Sequence, residues 1–95
     1  MISIVATIRV KEGCEADFES VAKELVAAVN ANEPGCLFYQ LHKGEEPLTY
    51  YFIERYENEA AIDTHRQTDH FKQIGGRMGP SMAGRPDVLI LNQIS

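Results

Sequence analysis

Ninety-five residues, 44% of them apolar, suffice for one domain over residues 1–95 with one small core, and little interior is left for a substrate cavity unless a partner subunit helps to complete it. The formal charge of −5, with no cluster of lysines or arginines, argues against nucleic acid or an anionic membrane surface as partner, because both need a basic stripe. Cys14 and Cys36 make neither a disulfide framework nor a CxxC metal pair, no basic region precedes the first apolar run at Ile2, and no apolar stretch approaches the ~20 residues that span a bilayer, so the expected location is the cytoplasm.

The chain opens with strict alternation. Ile2, Ile4, Ala6, Ile8 and Val10 fall on one side and Ser3, Val5, Thr7 and Arg9 on the other, which predicts a half-buried strand over Met1 to Val10. Lys11-Glu12-Gly13 turns it. From Cys14 to Asn32 the period becomes helical, with Phe18, Val21, Ala22, Leu25 and Val29 in one stripe and Glu15 and Asp17 at the positive end of the helix dipole. Asn32-Glu33-Pro34-Gly35 stops this helix, since Pro34 biases Glu33 away from helical dihedrals.

Cys36 to Lys43 and Tyr50 to Tyr56 read as a hairpin of two strands joined through Gly44-Glu45-Glu46-Pro47. Simple alternation puts Cys36, Phe38, Gln40 and His42 on one face and Leu37, Tyr39 and Leu41 on the other. Asn58 then caps a second helix, Thr68 or Asp69 recaps the chain into a further helical piece reaching about Met78, and Pro86 to Ile94 is the last strand. Residues 75–85, rich in glycine, read as a connector or a lid too flexible for a rigid core. They are not a phosphate loop, because no GxxxxGK[ST] occurs.

The order β-α-β-β-α-β predicts an α+β, ferredoxin-like fold: one antiparallel sheet with its helices on a single face. The other face carries aromatic and aliphatic side chains, and an uncovered apolar face of that kind marks an interface, so a homodimer is expected.

The ordered set Glu33-Pro34-Gly35-Cys36-Leu37-x-Tyr39-x-Leu41, Phe52-x-Glu54-x-Tyr56 and Ala61-x3-His65-x4-His70-Phe71 resembles the antibiotic biosynthesis monooxygenase family. The resemblance implies a dimeric α/β barrel whose active cavity lies between the sheet and the helices of each subunit. The family includes cofactor-independent oxygenases of polyketide aromatics, quinol monooxygenases, haem-degrading enzymes and a branch that processes a phosphorylated autoinducer-2. The haem-degrading branch fits least. It relies on an Asn in the first strand, a Trp on the second helix and a later His ligand, whereas this chain has no Asn in Met1 to Val10, no Trp, and no His after His70.

Candidate chemistry centres on His65 and His70. Triplet oxygen reacts slowly with closed-shell molecules, so an enzyme without flavin or metal has to turn its substrate into a reductant. A neutral imidazole that deprotonates a phenol or hydroquinone does so. The bland alternative is two histidines on a helix surface. On one continuous helix they would point about 140° apart, and although a break near Thr68 would relieve that, a third ligand is missing; no metal and no cofactor are expected.

Glu54, between Phe52 and Tyr56, is a candidate acid/base or a partner for a histidine, against the plainer reading of an ion pair with Arg9 or Arg66. Tyr39, Phe52 and Phe71 are candidate substrate contacts, otherwise core, and Arg9 is a candidate anchor for an anionic substrate, otherwise an exposed strand arginine. The reading that results is a cofactor-free monooxygenase of a small aromatic or quinol substrate. The alternatives are an isomerase or lyase of a small phosphorylated or dicarbonyl compound, and a dimer that only binds a ligand.

Overall fold

In a computed structural model describing residues 1–95, the elements follow the expected order. They are β1 (Ile2–Arg9), α1 (Glu15–Asn32), β2 (Cys36–Lys43), β3 (Thr49–Tyr56), α2 (Glu59–Gln67), α3 (Asp69–Met78), a 3-10 turn (Gly79–Ser81) and β4 (Asp87–Asn92). The four strands form one antiparallel sheet in the order β2-β3-β1-β4, the ferredoxin-like arrangement. No helix is long and apolar enough to cross a membrane.

The alternation in β1 is realised directly: Ile2, Ile4, Ala6 and Ile8 are buried beneath the helices, and Ser3, Val5 and Thr7 are only half-buried. α1 lays Phe18, Ala22, Leu25 and Val29 onto that surface. Phe18 meets Tyr50 of β3 edge to face, with ring centroids 4.8 Å apart. A second, smaller cluster of Ile2, Ile4, Tyr56 and Ile62 fills the other end of the sheet.

Two sequence expectations are corrected. Between Cys36 and Phe38 the pairing with β3 shifts by a bulge, so that Cys36 opposes Tyr56 while Phe38 opposes Arg55. One extra residue inverts the alternation on either side of it. Cys36 therefore packs towards the helices with Tyr39, and Leu37 and Phe38 are both exposed. The second correction concerns residues 75–85. Their first part completes α3, in line with the helix expected to reach about Met78; the correction lies beyond it, where Ser81 is buried and Met82 bridges to Val10. The Lys11 amide donates to the Ser81 carbonyl and the Ala83 amide to that of Arg9, which ties the segment to the end of β1.

The opposite side of the sheet is bare. Phe38 and Ile53 are exposed there with Leu89 and Leu91 of edge strand β4, while Val88 and Ile90 of that strand, on the helix side, are also about half exposed. Where the helices turn, space is tight. A Cβ on Gly35 would lie 2.8 Å from that of Ala61, so only glycine lets the chain after α1 pass this close to α2.

Candidate active site

Pro34 ends α1 by holding Glu33 in an extended conformation, φ −119° and ψ 89°. The Glu33 amide still closes the last turn on the Val29 carbonyl, but its side chain is buried in the protein. A buried carboxylate needs donors, and two histidines supply them. His65 Nδ1 lies 2.9 and 3.0 Å from the two Glu33 oxygens, and His70 Nε2 makes a short hydrogen bond to Oε2.

Thr68 makes this convergence possible. It leaves helical geometry at ψ 147°, so α2 and α3 are separate helices. Its hydroxyl donates to the His65 carbonyl and accepts from the Phe71 amide, closing α2 and opening α3 with one side chain. The divergence expected for two histidines five residues apart on one helix is thereby removed.

His65 is 4% exposed, and its ring is surrounded by Phe71, Tyr39 and Tyr56, with centroids 4.5, 5.4 and 5.6 Å away. Burial lowers its pKa below the usual histidine value; the hydrogen bond that it donates to Glu33 and the charge of that carboxylate oppose the shift without cancelling it. The ring is therefore neutral at pH 7. With the Nδ1 proton donated to Glu33, Nε2 is the basic nitrogen.

A cavity of about 380 Å³ opens between sheet and helices, as the family resemblance implies. Its floor is Ile4, Ala6, Ile8, Tyr39, Phe52 and Glu54, and its helical wall includes Leu25, Ile62, His65, Phe71 and Met78. Arg66, Lys72, Gly75 and Gly76 also line it, with Pro86 and Val88 from the last segment. Glu54 is buried, and the Tyr56 hydroxyl donates to its Oε1 at 2.6 Å. Burial pushes the Glu54 carboxyl up to about 7, while the Tyr56 hydrogen bond and the Arg66 charge pull the other way. Burial likewise raises the Tyr39 phenol, which stays protonated and able to donate.

Of the residues singled out in the sequence, His65, Glu54, Tyr39, Phe52 and Phe71 line this cavity together. His70 stands behind it and reaches His65 only through Glu33. Arg9 is not brought there: it lies on the other face of the sheet, exposed and paired with Asp87 at 2.6 Å. Neither arginine proposed as an ion-pair partner of Glu54 is bonded to it, although Arg66 acts on it through its charge. Glu33 is the residue that the sequence reading overlooked. It stands at a Pro-enforced helix stop and at the head of the family-like set of residues, but neither signal gave its side chain a chemical role.

A family model described as antibiotic biosynthesis monooxygenase matches residues 1–76. The chain belongs to this family. A Bacillus subtilis relative named "Putative monooxygenase YcnE" is 33% identical, covering 100% of this chain and 99% of that protein. An uncharacterized Synechocystis protein, sll1783, is 26% identical over 99% of this chain, which spans 63% of that protein's length. A solved structure described as a putative antibiotic biosynthesis monooxygenase from Caulobacter crescentus superposes with a TM-score of 0.95 at 43% identity, covering 99% of this chain and 90% of that one. Family and relatives support a general monooxygenase-like role.

The raised Glu54 carboxyl has a consequence for stability. Between the ordinary carboxylate range and about 7 the folded protein keeps a proton that the unfolded chain has released. This contribution is therefore present at low pH and lost as the pH rises through about 7. Glu54→Gln, which imitates the protonated acid, is expected to stabilise the protein more at pH 8 than at pH 5, by about 2 kcal/mol in urea unfolding. An equal effect at both pH values would show that Glu54 titrates normally.

Proposed function

We propose that this protein is a monooxygenase acting without a prosthetic group on a small aromatic or quinol substrate, with His65 as its base. One observation carries the reading: the buried His65 imidazole, held through Nδ1 by the Glu33 carboxylate, borders an aromatic cavity. Carboxylate orientation of this kind fixes the tautomer and raises the basicity of the opposite nitrogen.

In the simplest case a hydroquinone gives a phenolic proton to His65 Nε2. The phenolate passes an electron to O2, and the radical pair joins at a ring carbon as a peroxide, which His65 reprotonates. Glu54, protonated near neutrality, hands a proton to the departing oxygen, which leaves as water, and recovers one from the ring carbon. The product is a hydroxyquinone. The substrate supplies all four electrons, two for the inserted oxygen and two for the water. The Tyr39 phenol stands in the same cavity as a donor to a substrate oxygen.

Oxygen electrode measurements with hydroquinones test this. Enzyme-dependent uptake above the spontaneous rate is expected, one O2 per hydroxyquinone, and His65→Ala should lower it by about 10²–10⁴-fold. Because the imidazole pKa is lowered, activity should persist below pH 6.5 before it falls. Turnover of a phosphorylated or dicarbonyl compound under argon, with no uptake on any phenol, would move the assignment to an isomerase or lyase. Binding without any turnover would leave a ligand-binding protein.

We further propose that two copies pair through the bare sheet face. Phe38, Ile53, Leu89 and Leu91 give that face an apolar surface that the helices, all on the other side, do not cover. Light scattering after size exclusion should give twice the 10.6 kDa chain mass at micromolar concentration. A monomer mass there would refute the pairing and leave the intrasubunit cavity intact.

A further inference from the structure

Arg66 and Lys72 are both exposed, and both line a cavity whose other walls are mostly apolar. The ion pairs of the structure are Arg9–Asp87, Arg77–Glu24 and the two histidines on Glu33, so Arg66 and Lys72 are unpartnered. Asp63 and Asp69 stand three residues before each of them on the same helices, yet neither is engaged. The Arg66 charge is felt at both Glu54 and His65, so it lies on the cavity side of α2. In a protein of formal charge −5 this is a local positive field at the rim of an apolar site.

We propose that the cavity takes a substrate with a planar apolar body and one oxyanionic group, a carboxylate, sulfonate or phosphate, which Arg66 and Lys72 hold at the mouth. The body then lies among Tyr39, Phe52 and Phe71, and the anion stays near water, where its desolvation cost is small. This fixes the orientation. The ring is directed inward, and the charged end stays behind because burying it among apolar walls would cost its hydration. The same guanidinium favours the phenolate that forms when His65 removes a proton.

Two features of α3 fit the same picture. Gly75 and Gly76 line the cavity from inside a helix, where each costs about 1 kcal/mol relative to alanine. A Cβ at either would meet nothing within 4 Å, so packing does not require these glycines. What they provide is a thin wall beside Lys72, room for the ligand at the point where it leaves the apolar interior.

The inference rests on the cavity being the substrate site, and it does not depend on the oxygen chemistry. The test uses two unreactive probes of nearly the same shape, naphthalene-2-sulfonate and the uncharged 2-(methylsulfonyl)naphthalene, titrated calorimetrically into the full chain. The sulfonate is expected to bind roughly tenfold more tightly, as two exposed charge contacts would give. That preference should shrink in high salt and disappear in the R66Q/K72Q double variant, while affinity for the sulfone is unchanged. Both substituted positions are exposed, so the variant should fold, which circular dichroism checks. Equal binding of the two probes, a preference that survives in the double variant, or no binding of either would overturn the proposal. Should the preference appear while no phenol drives oxygen uptake, the anion site stands and the monooxygenase assignment falls.

Discussion

A carboxylate carried into the interior at the end of a helix has to be met by donors, and the meeting at Glu33 organises this protein. Its two oxygens accept from His65 on α2 and His70 on α3, so one side chain joins the end of α1 to both later helices. Removing either histidine leaves a buried acid short of a donor, and removing the acid leaves His65 buried with nothing to orient it. Pro34 forces the extended backbone at Glu33, Gly35 lets the chain pass against Ala61, and Thr68 splits the helix so that both rings face the same acid.

The cavity follows from this junction. His65 is held against the wall of aromatic rings, and the remaining polar groups sort by depth. Inside are groups that are neutral or nearly so at pH 7: the imidazole, the Tyr39 phenol and Glu54 balanced near 7. The full charges of Arg66 and Lys72 stay exposed at the edge. Burial accounts for each of the three interior shifts as the largest cause, which is why one small apolar pocket yields a base, a donor and an acid close to neutrality.

Much of this was legible in the chain. Period-two alternation in β1 and the Phe18-Ala22-Leu25-Val29 stripe give strand and helix directly, because each reports which face meets the core. His65, Glu54, Tyr39, Phe52 and Phe71 were reachable through a family resemblance and through the chemistry of those side chains. The bulge at Leu37 was not, since an inserted residue leaves no mark on composition and appears only when two strands are paired. Glu33 escaped for a related reason. Its partners lie 32 and 37 residues away, and a local reading sees only the helix stop. Residues 75–85 looked loose because glycine signals freedom, whereas their order comes from Met78, Ser81 and backbone bonds to the end of β1.

The account stands on the protonation state of one ring. Nitrogen-15 NMR of the histidine side chains, followed from pH 4 to pH 8, reads that state directly. The account predicts that His65 is neutral at pH 7 with its proton on Nδ1 and Nε2 bare, that its titration lies below that of a free histidine, and that Glu33→Gln disturbs the tautomer. A proton on Nε2 at pH 7, or an ordinary titration unaffected by Glu33→Gln, would contradict it.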